Sequence, residues 1–480
     1  MIAGVVGLTF LGAAVRWRFL DQPMRYDESY NYLNYSSRSP AYIVTHYFPN
    51  NHVLHTLMVS AVSRVFGTGP SALRLPAFVA GVLLIPATAW LGWTLSRRRV
   101  VALLSALAVC GSSALIEYSA NARGYSMLTL FAVVAAVLTL QLIATPSRKG
   151  LYAAWGVVGA LGAFTVPVMI FAMTGLTAAM LVCAFVTRRE IHHWRDTVHG
   201  FSIGIGVCGL LTAGLYLPIL VAEGLDKLAG TRQIAHDILS AQIPTFGGML
   251  GATWQLWTRD APIVPTVILI IGGIGFLMHA ARERTPQSFL PIIVVVVAMA
   301  TAGLMQMPLP ARTWLMLLPV LLVCAVTGLS GLSPKVARSS DCRGLRASVP
   351  IVVLSVIVSL PLFTVFRRPS LCAEPNGLVD VEPALEECQA YGSDRCALVA
   401  PYTPATAYYM GQMGLRPLPL PASPSTERVY IVTDARRPLE QLWHRGVGGF
   451  ESFGPPRVCR LLPESTLFAA DRMRTHALAQ

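Results

Sequence analysis

Charge is scarce in this sequence. Of 480 residues only 13% are Asp, Glu, Lys or Arg, against 54% hydrophobic, and mean hydropathy is +0.57. An ordinary soluble domain carries roughly a quarter of its residues charged, so this balance excludes one and makes a bilayer the expected solvent. Basic residues are also missing ahead of the first apolar run, 1–15. A cleaved signal peptide needs a positive n-region there, so a short first span is the favoured reading, with a start upstream of Met1 left open. No solenoid-type repeat is visible. Nor are the basic residues gathered into one patch, so the net charge of +13 does not describe a nucleic-acid surface, and no nucleic-acid partner is expected.

What is abundant is uncharged apolar sequence. A helix needs about 20 such residues to cross hydrocarbon, where every backbone polar group must be satisfied without water. Charge-free runs occupy 75–96, 100–116, 124–147, 150–187, 200–222, 261–281, 285–311, 313–334 and 347–366, and 150–187 is long enough for two spans turning near Pro167. With 1–15 this predicts an α-helical polytopic membrane protein that crosses the bilayer about eleven times. The short connections alternate in charge. Arg97–Arg98–Arg99, Arg148–Lys149, Arg188–Arg189 with Arg195, Arg282 with Arg284, and Lys335, Arg338, Arg343 and Arg346 fall in every second loop. The positive-inside rule makes those loops cytoplasmic. Loop 16–74, turn 117–123, loop 223–260 and the tail after 366 then face outward.

Cysteine usage fits this orientation. Cys110, Cys183, Cys208 and Cys324 lie in predicted spans and Cys342 in a cytoplasmic loop, which leaves Cys372, Cys388, Cys396 and Cys459 in the exported tail. One or two disulfides are expected there, with three pairings open if all four join. Three parts result: the outward loop 16–74, a transmembrane module to 366, and a C-terminal extracytoplasmic domain 367–480. The tail mixes strand-like runs at 396–400, 429–433 and 465–469 with a Pro-rich turn at 416–424, which predicts a small α/β domain. Stretch 52–66 decides the topology. Val53, Leu54, Leu57, Met58, Ala61, Val62 and Val65 recur at helical spacing, while His52, His55, Thr56, Ser60, Ser63 and Arg64 share the opposite face. That amphipathic pattern predicts a helix lying in the membrane interface, and only this reading keeps the triple arginine cytoplasmic.

The outward loop carries the candidate chemistry: Tyr26-Asp27-Glu28-Ser29-Tyr30, then Tyr47-Phe48-Pro49-Asn50-Asn51-His52. Asp27 can accept a proton from a hydroxyl nucleophile while Glu28 orients the acceptor. An N-cap with a first-turn acid fits the pair equally. Tyr26 and Tyr30 read as a sugar platform or as an interfacial aromatic belt. His52 and His55, one helical turn apart, can hold phosphate or metal; as a zinc site they fall short of a ligand set. Arg123, in Asn121-Ala122-Arg123-Gly124-Tyr125, opens a span on the outward face, where a guanidinium holds phosphate bidentately or snorkels to headgroups. Arg312 is a similar candidate. Trp254 and Trp257 in loop 223–260, with His236, are candidates for an acceptor groove that the tail caps.

These motifs, in this order, resemble the bacterial branch of the protein O-mannosyltransferase superfamily. That branch consists of glycosyltransferase family 39-like, membrane-embedded GT-C enzymes and includes the lipid A aminoarabinose transferases. The motifs that carry the resemblance are the Asp27-Glu28 pair after the first span, Pro49-Asn50-Asn51-His52-Val53-Leu54-His55, and Ala122-Arg123-Gly124-Tyr125. It covers residues 1–240 by motif and the rest by architecture. It implies an inverting transfer of a sugar from a polyprenyl-phosphate donor to an acceptor hydroxyl on the outer face. Asp27 would be the general base with Glu28 its neighbour; His52, His55, Arg123 and Arg312 would meet the donor phosphate; and Tyr26, Tyr30, Asn50, Asn51, Tyr125, Trp254 and Trp257 would line the substrate. Phe48 stands where the aminoarabinose transferases have lysine, a departure that leaves their donor specificity open for this chain. A phosphate leaving group stabilised by cations requires no cofactor, and a divalent cation at Asp27 and Glu28 stays open. The expected partners are the lipid-linked donor, membrane lipids and a glycan, lipid or protein acceptor. The expected location is a bacterial plasma (inner) membrane, with the C-terminal domain outside. The alternative is a transporter or flippase of lipid-linked saccharides, which should show polar or broken helices at mid-membrane in paired halves.

Overall fold

The computed structural model describes residues 1–332, apart from 187–190, 243–244, 260–262, 284 and 306–308, and beyond them 364–365, 367, 381–391, 396–399, 404–413, 428–434, 457–461 and 465–471. The run 347–366, read as a span, lies almost wholly outside the described residues. Two compact units make up the chain. One is Met1–Leu20 with Arg38–Ala373, the other Asp21–Ser37 with Glu374–Gln480. The segment bearing Asp27 and Glu28 therefore groups with the C-terminal residues.

The first unit is helical. Its elements are α1 (Ile2–Trp17), α3 (Pro40–Thr45), α4 (Val53–Phe66), α5 (Pro70–Ser96), α6 (Arg99–Gly111), α7 (Ser113–Ser119), α8 (Tyr125–Ala144), α9 (Lys149–Thr165), α10 (Met169–Val186), α11 (Ile191–Gln242), α12 (Phe246–Thr258), α13 (Ile263–Glu283) and α14 (Pro286–Leu304). A 3-10 turn (Ala311–Leu317) then runs into α15 (Leu318–Leu332). Six of the described helices are long and apolar enough to cross a membrane, or seven if α6 and α7, bent by 64°, form one span; α1, α4 and Ser288–Leu304 are apolar but shorter. The chain is a multi-pass α-helical membrane protein.

Local sequence explains the breaks. Pro70 follows Gly69 at the first position of α5, where its missing N–H costs nothing. The helix stops at Arg97 in the left-handed region, φ 56°, where a cation complements the dipole of its C-terminus. The turn expected at Pro167 separates α9 from α10. Loop 223–260 is largely helical, because α11 continues to Gln242 past a single non-helical residue, Gly224 at φ 73°, a conformation that glycine adopts without strain. At the α6–α7 break, Val109 loses its place in a continuous helical ladder. The buried Arg16 guanidinium donates to its carbonyl at 3.1 Å and to that of Gly12 at 3.1 Å.

Helix crossings rely on small residues, as expected where lipid removes the hydrophobic drive between helices. A side chain on Gly156 of α9 would collide with the Gly204 carbonyl of α11, and one on Gly328 of α15 with the Gly272 carbonyl of α13. The facing of α4 is mixed. Its polar residues His55, Thr56 and Ser60 are buried with Val53 and Val59, against α5 and α9, while Met58, Val65 and Phe66 are exposed. Ser63 is half-buried and Arg64 exposed, so the polar face is buried over the first half of the helix only.

The second unit holds α2 (Tyr26–Asn31), which continues as a π-turn (Tyr32–Ser36), with α16 (Val381–Tyr391), β1 (Cys396–Val399), α17 (Pro404–Gln412), β2 (Arg428–Asp434), β3 (Arg457–Leu461) and β4 (Ser465–Asp471). The sheet order is β1-β2-β4-β3. β1 pairs with β2 in parallel and the other pairings are antiparallel, with an irregularity between Val458 and Arg460. All three predicted strands are present, and β3 is an addition. Residues 21–37 are fastened to α17: the Met24 N–H donates to Tyr409 Oη at 2.8 Å, and Tyr32 meets Tyr408 edge-on at 5.6 Å. Cys388 is buried in α16 and Cys459 exposed on β3; Cys372 lies outside the described residues.

Candidate functional site

In the helical unit, three separated stretches meet at the start of α8. The 3-10 turn after Pro310 carries Arg312, His52 is the N-cap of α4, and Arg123 sits in the tight turn before Tyr125, where its N–H donates to the Asn121 carbonyl at 2.6 Å. Tyr125 is the hub. Arg123 and Arg312 each lie 5.8 Å from the centre of its ring, and Arg312 Nε donates to its hydroxyl at 3.0 Å. His52 and Tyr118 meet the same ring edge-on at 4.8 and 5.5 Å. Two arginines over one aromatic ring gain from its quadrupole while repelling each other, so the arrangement suits an anion.

Asn50 fixes Arg123, accepting from its guanidinium through both the backbone oxygen, at 3.1 Å, and the side-chain Oδ1. The Gly124 N–H donates to His52 Nδ1 at 2.9 Å, and Arg123 stands 3.4 Å from His52 Nε2. Burial, followed by the charges of Arg123, His55 and Arg312, holds the His52 imidazole well below its ordinary pKa. It is neutral at physiological pH.

The remaining predicted residues of this unit differ in role. Asn51 is buried, its amide donating to the carbonyls of Ile43 at 3.0 Å and His46 at 2.8 Å; it closes the loop before α4. His55 is buried on the inward face of α4. Trp254 is 37% exposed and Trp257 buried. His236 lies where side chains are outside the described residues. Sequence reading missed an ion pair: Arg259, at the end of α12, meets the fully buried Glu117 of α7 at 2.5 Å. The available signal was an acid at the edge of an otherwise charge-free run. Among the described residues no group of three or more His, Cys, Asp or Glu is positioned to hold a metal ion.

In the other unit, Asp27 and Glu28 separate in role. Arg25 is the N-cap of α2, and Glu28, at the third helical position, accepts the Arg25 N–H at 2.9 Å. Glu28 is buried and Asp27 half-buried. The acid thereby satisfies an orphan donor at the helix start, so Glu28 fixes the turn from which Asp27 projects. Tyr26 and Tyr30 stack at 6.5 Å with their rings inclined by 10°.

No protein-family model matches the sequence, and no curated protein matches it. Solved structures do. ArnT from Cupriavidus metallidurans, solved bound to undecaprenyl phosphate, superimposes with a TM-score of 0.57 at 14% identity, over 98% of each chain. An Archaeoglobus fulgidus oligosaccharyltransferase, solved in complex with zinc and sulfate, gives 0.56 at 12% identity over 97% of this chain and 72% of its own. The archaeal oligosaccharyltransferase AglB from Archaeoglobus fulgidus, in complex with an inhibitory peptide and a dolichol-phosphate, gives 0.51 at 10% identity, over 90% and 69%. Identity at this level carries the architecture and not the chemistry. The chain has the fold of the GT-C membrane glycosyltransferases.

Proposed function

We propose that this protein is a glycosyltransferase that moves a sugar from a polyprenyl-phosphate donor to an acceptor hydroxyl on the outer face of a bacterial inner membrane. The observation that carries the reading is the convergence of Arg123, Arg312 and neutral His52 on Tyr125. Such a cluster, at helix ends, suits a phosphate whose lipid tail stays in the bilayer. Fold-sharing proteins solved with undecaprenyl phosphate and with a dolichol-phosphate agree with that ligand class.

In the reaction proposed, the acceptor oxygen attacks the anomeric carbon as the bond from that carbon to the phosphate oxygen breaks, with inversion. Asp27 takes the hydroxyl proton, and the polyprenyl phosphate leaves with its developing charge stabilised by Arg123 and Arg312. Glu28 holds the turn that presents Asp27. Trp254 and Trp257 contribute to acceptor binding, and the C-terminal unit lies on the outer side. This chemistry calls for no cofactor, because the leaving group is already a phosphate monoester.

The test is transfer in proteoliposomes, using a panel of polyprenyl-phosphate sugars and mixed envelope extracts as acceptors. Wild type should release polyprenyl phosphate and build a glycosylated product, and Asp27→Asn should lower the rate by roughly 10²–10⁴, as for loss of a general base. A folded Asp27→Asn protein with full transfer would remove the base assignment. Movement of intact donor across the bilayer without sugar release would instead make the protein a transporter.

A further inference from the structure

Resting on the phosphate reading above, we infer that the Gly124 amide locks His52 as the Nε2–H tautomer, so that His52 and Arg123 form a two-donor clamp on a single anionic phosphate oxygen. A backbone N–H can only donate, and the Gly124 N–H meets His52 Nδ1 at 2.9 Å, the distance of a well-formed hydrogen bond. Nδ1 is therefore the acceptor, and the proton of the neutral ring sits on Nε2. The other tautomer would set two donors against each other at that distance in a buried site. On the far side of the ring, Nε2 faces Arg123 at 3.4 Å, and a guanidinium too can only donate. A separation this long is no strong hydrogen bond. With Nδ1 already taken by Gly124, the Arg123 N–H aimed at Nε2 sets two donors face to face, a conflict that an anionic oxygen between them relieves.

The surroundings hold this state. His52 is buried against the Tyr125 ring, and Asn50 grips Arg123 from the other direction, which fixes the pair before ligand arrives. The packing of Gly124 makes the arrangement specific, since a Cβ there would press on the His52 ring and on Thr165. His52 is thus a hydrogen-bond donor to the leaving phosphate, and neither a metal ligand nor a cation.

Two measurements on the full chain in nanodiscs test this. With ¹⁵N-histidine labelling, and His52 assigned by difference against His52→Gln, the ligand-free protein should show a pyridine-like Nδ1 and a pyrrole-like Nε2. Farnesyl phosphate should shift the Nε2–H proton downfield, and farnesol should not. The second measurement uses affinity. His52→Asn keeps an acceptor for Gly124 but lacks a donor at the Nε2 position, whereas His52→Gln restores that donor. Farnesyl phosphate affinity should fall about tenfold or more in His52→Asn and recover to within about threefold in His52→Gln, the scale of one hydrogen bond to a charged group. An Nδ1–H tautomer, or an Nε2–H unmoved while farnesyl phosphate binds elsewhere, would overturn the inference. If wild type does not bind farnesyl phosphate at all, the broader phosphate reading fails with it, and the ligand-free tautomer still reports on the Gly124 lock.

Discussion

Arg123 and Arg312 both lie against one tyrosine ring, where a single anion would meet two cations. Replacing Arg123 with Ala removes a charge-assisted partner of about 1.5–3 kcal/mol, so the affinity for a polyprenyl phosphate should fall roughly 10- to 100-fold, read by calorimetry against the parent polyprenol. His52 makes a separate pH prediction. Its folded pKa lies below the unfolded value, so between those two values the unfolded chain binds the extra proton and stability rises with pH. The contribution is complete above the unfolded value and is lost as pH falls through it toward the folded one. Thermal melts between pH 7.5 and 5 should show a smaller loss of stability for His52→Gln than for wild type, and equal losses would contradict the buried neutral assignment. The Glu117–Arg259 pair is a third case. Glu117→Gln leaves Arg259 facing a neutral group in a largely buried setting and should cost about 3–5 kcal/mol, with Arg259→Gln recovering part of it in a double-mutant cycle.

At the scale of elements, the apolar runs specified most of the helices, and Pro167 placed the reversal between α9 and α10. For α4 the amphipathic period states only that two faces differ, leaving open which one turns inward. Water favours the polar face outside and lipid favours it inside. The residues that meet at Tyr125 were each visible as a cation or imidazole at the edge of a span, yet their meeting depends on helix crossings that no local pattern encodes. Arg259 was legible only as a loop charge, and its partner Glu117 only as an acid ending a run. Asn51 and Glu28 have the chemistry of site residues, yet both make backbone hydrogen bonds that shape their turns. Because α9 and α11 touch through Gly156 and Gly204, Gly156→Val should overpack that crossing by about 1–3 kcal/mol, seen as a lowered melting temperature in detergent; an unchanged melt would show that the helices can separate without penalty.

For the whole molecule, the residues singled out fall in two separate compact units. The cationic cluster belongs to the helices and Asp27 to the segment 21–37 that groups with the C-terminal residues. The claim on which the account depends is that the cluster around Tyr125 recognises a lipid phosphate, and ligand-induced stabilisation measures it directly. In nanodiscs, a polyprenyl phosphate should raise the melting temperature of wild type while the matching polyprenol leaves it unchanged, and the Arg123→Ala, Arg312→Ala double variant should lose the rise. Equal stabilisation by phosphate and alcohol, or a rise retained in a folded double variant, would contradict it.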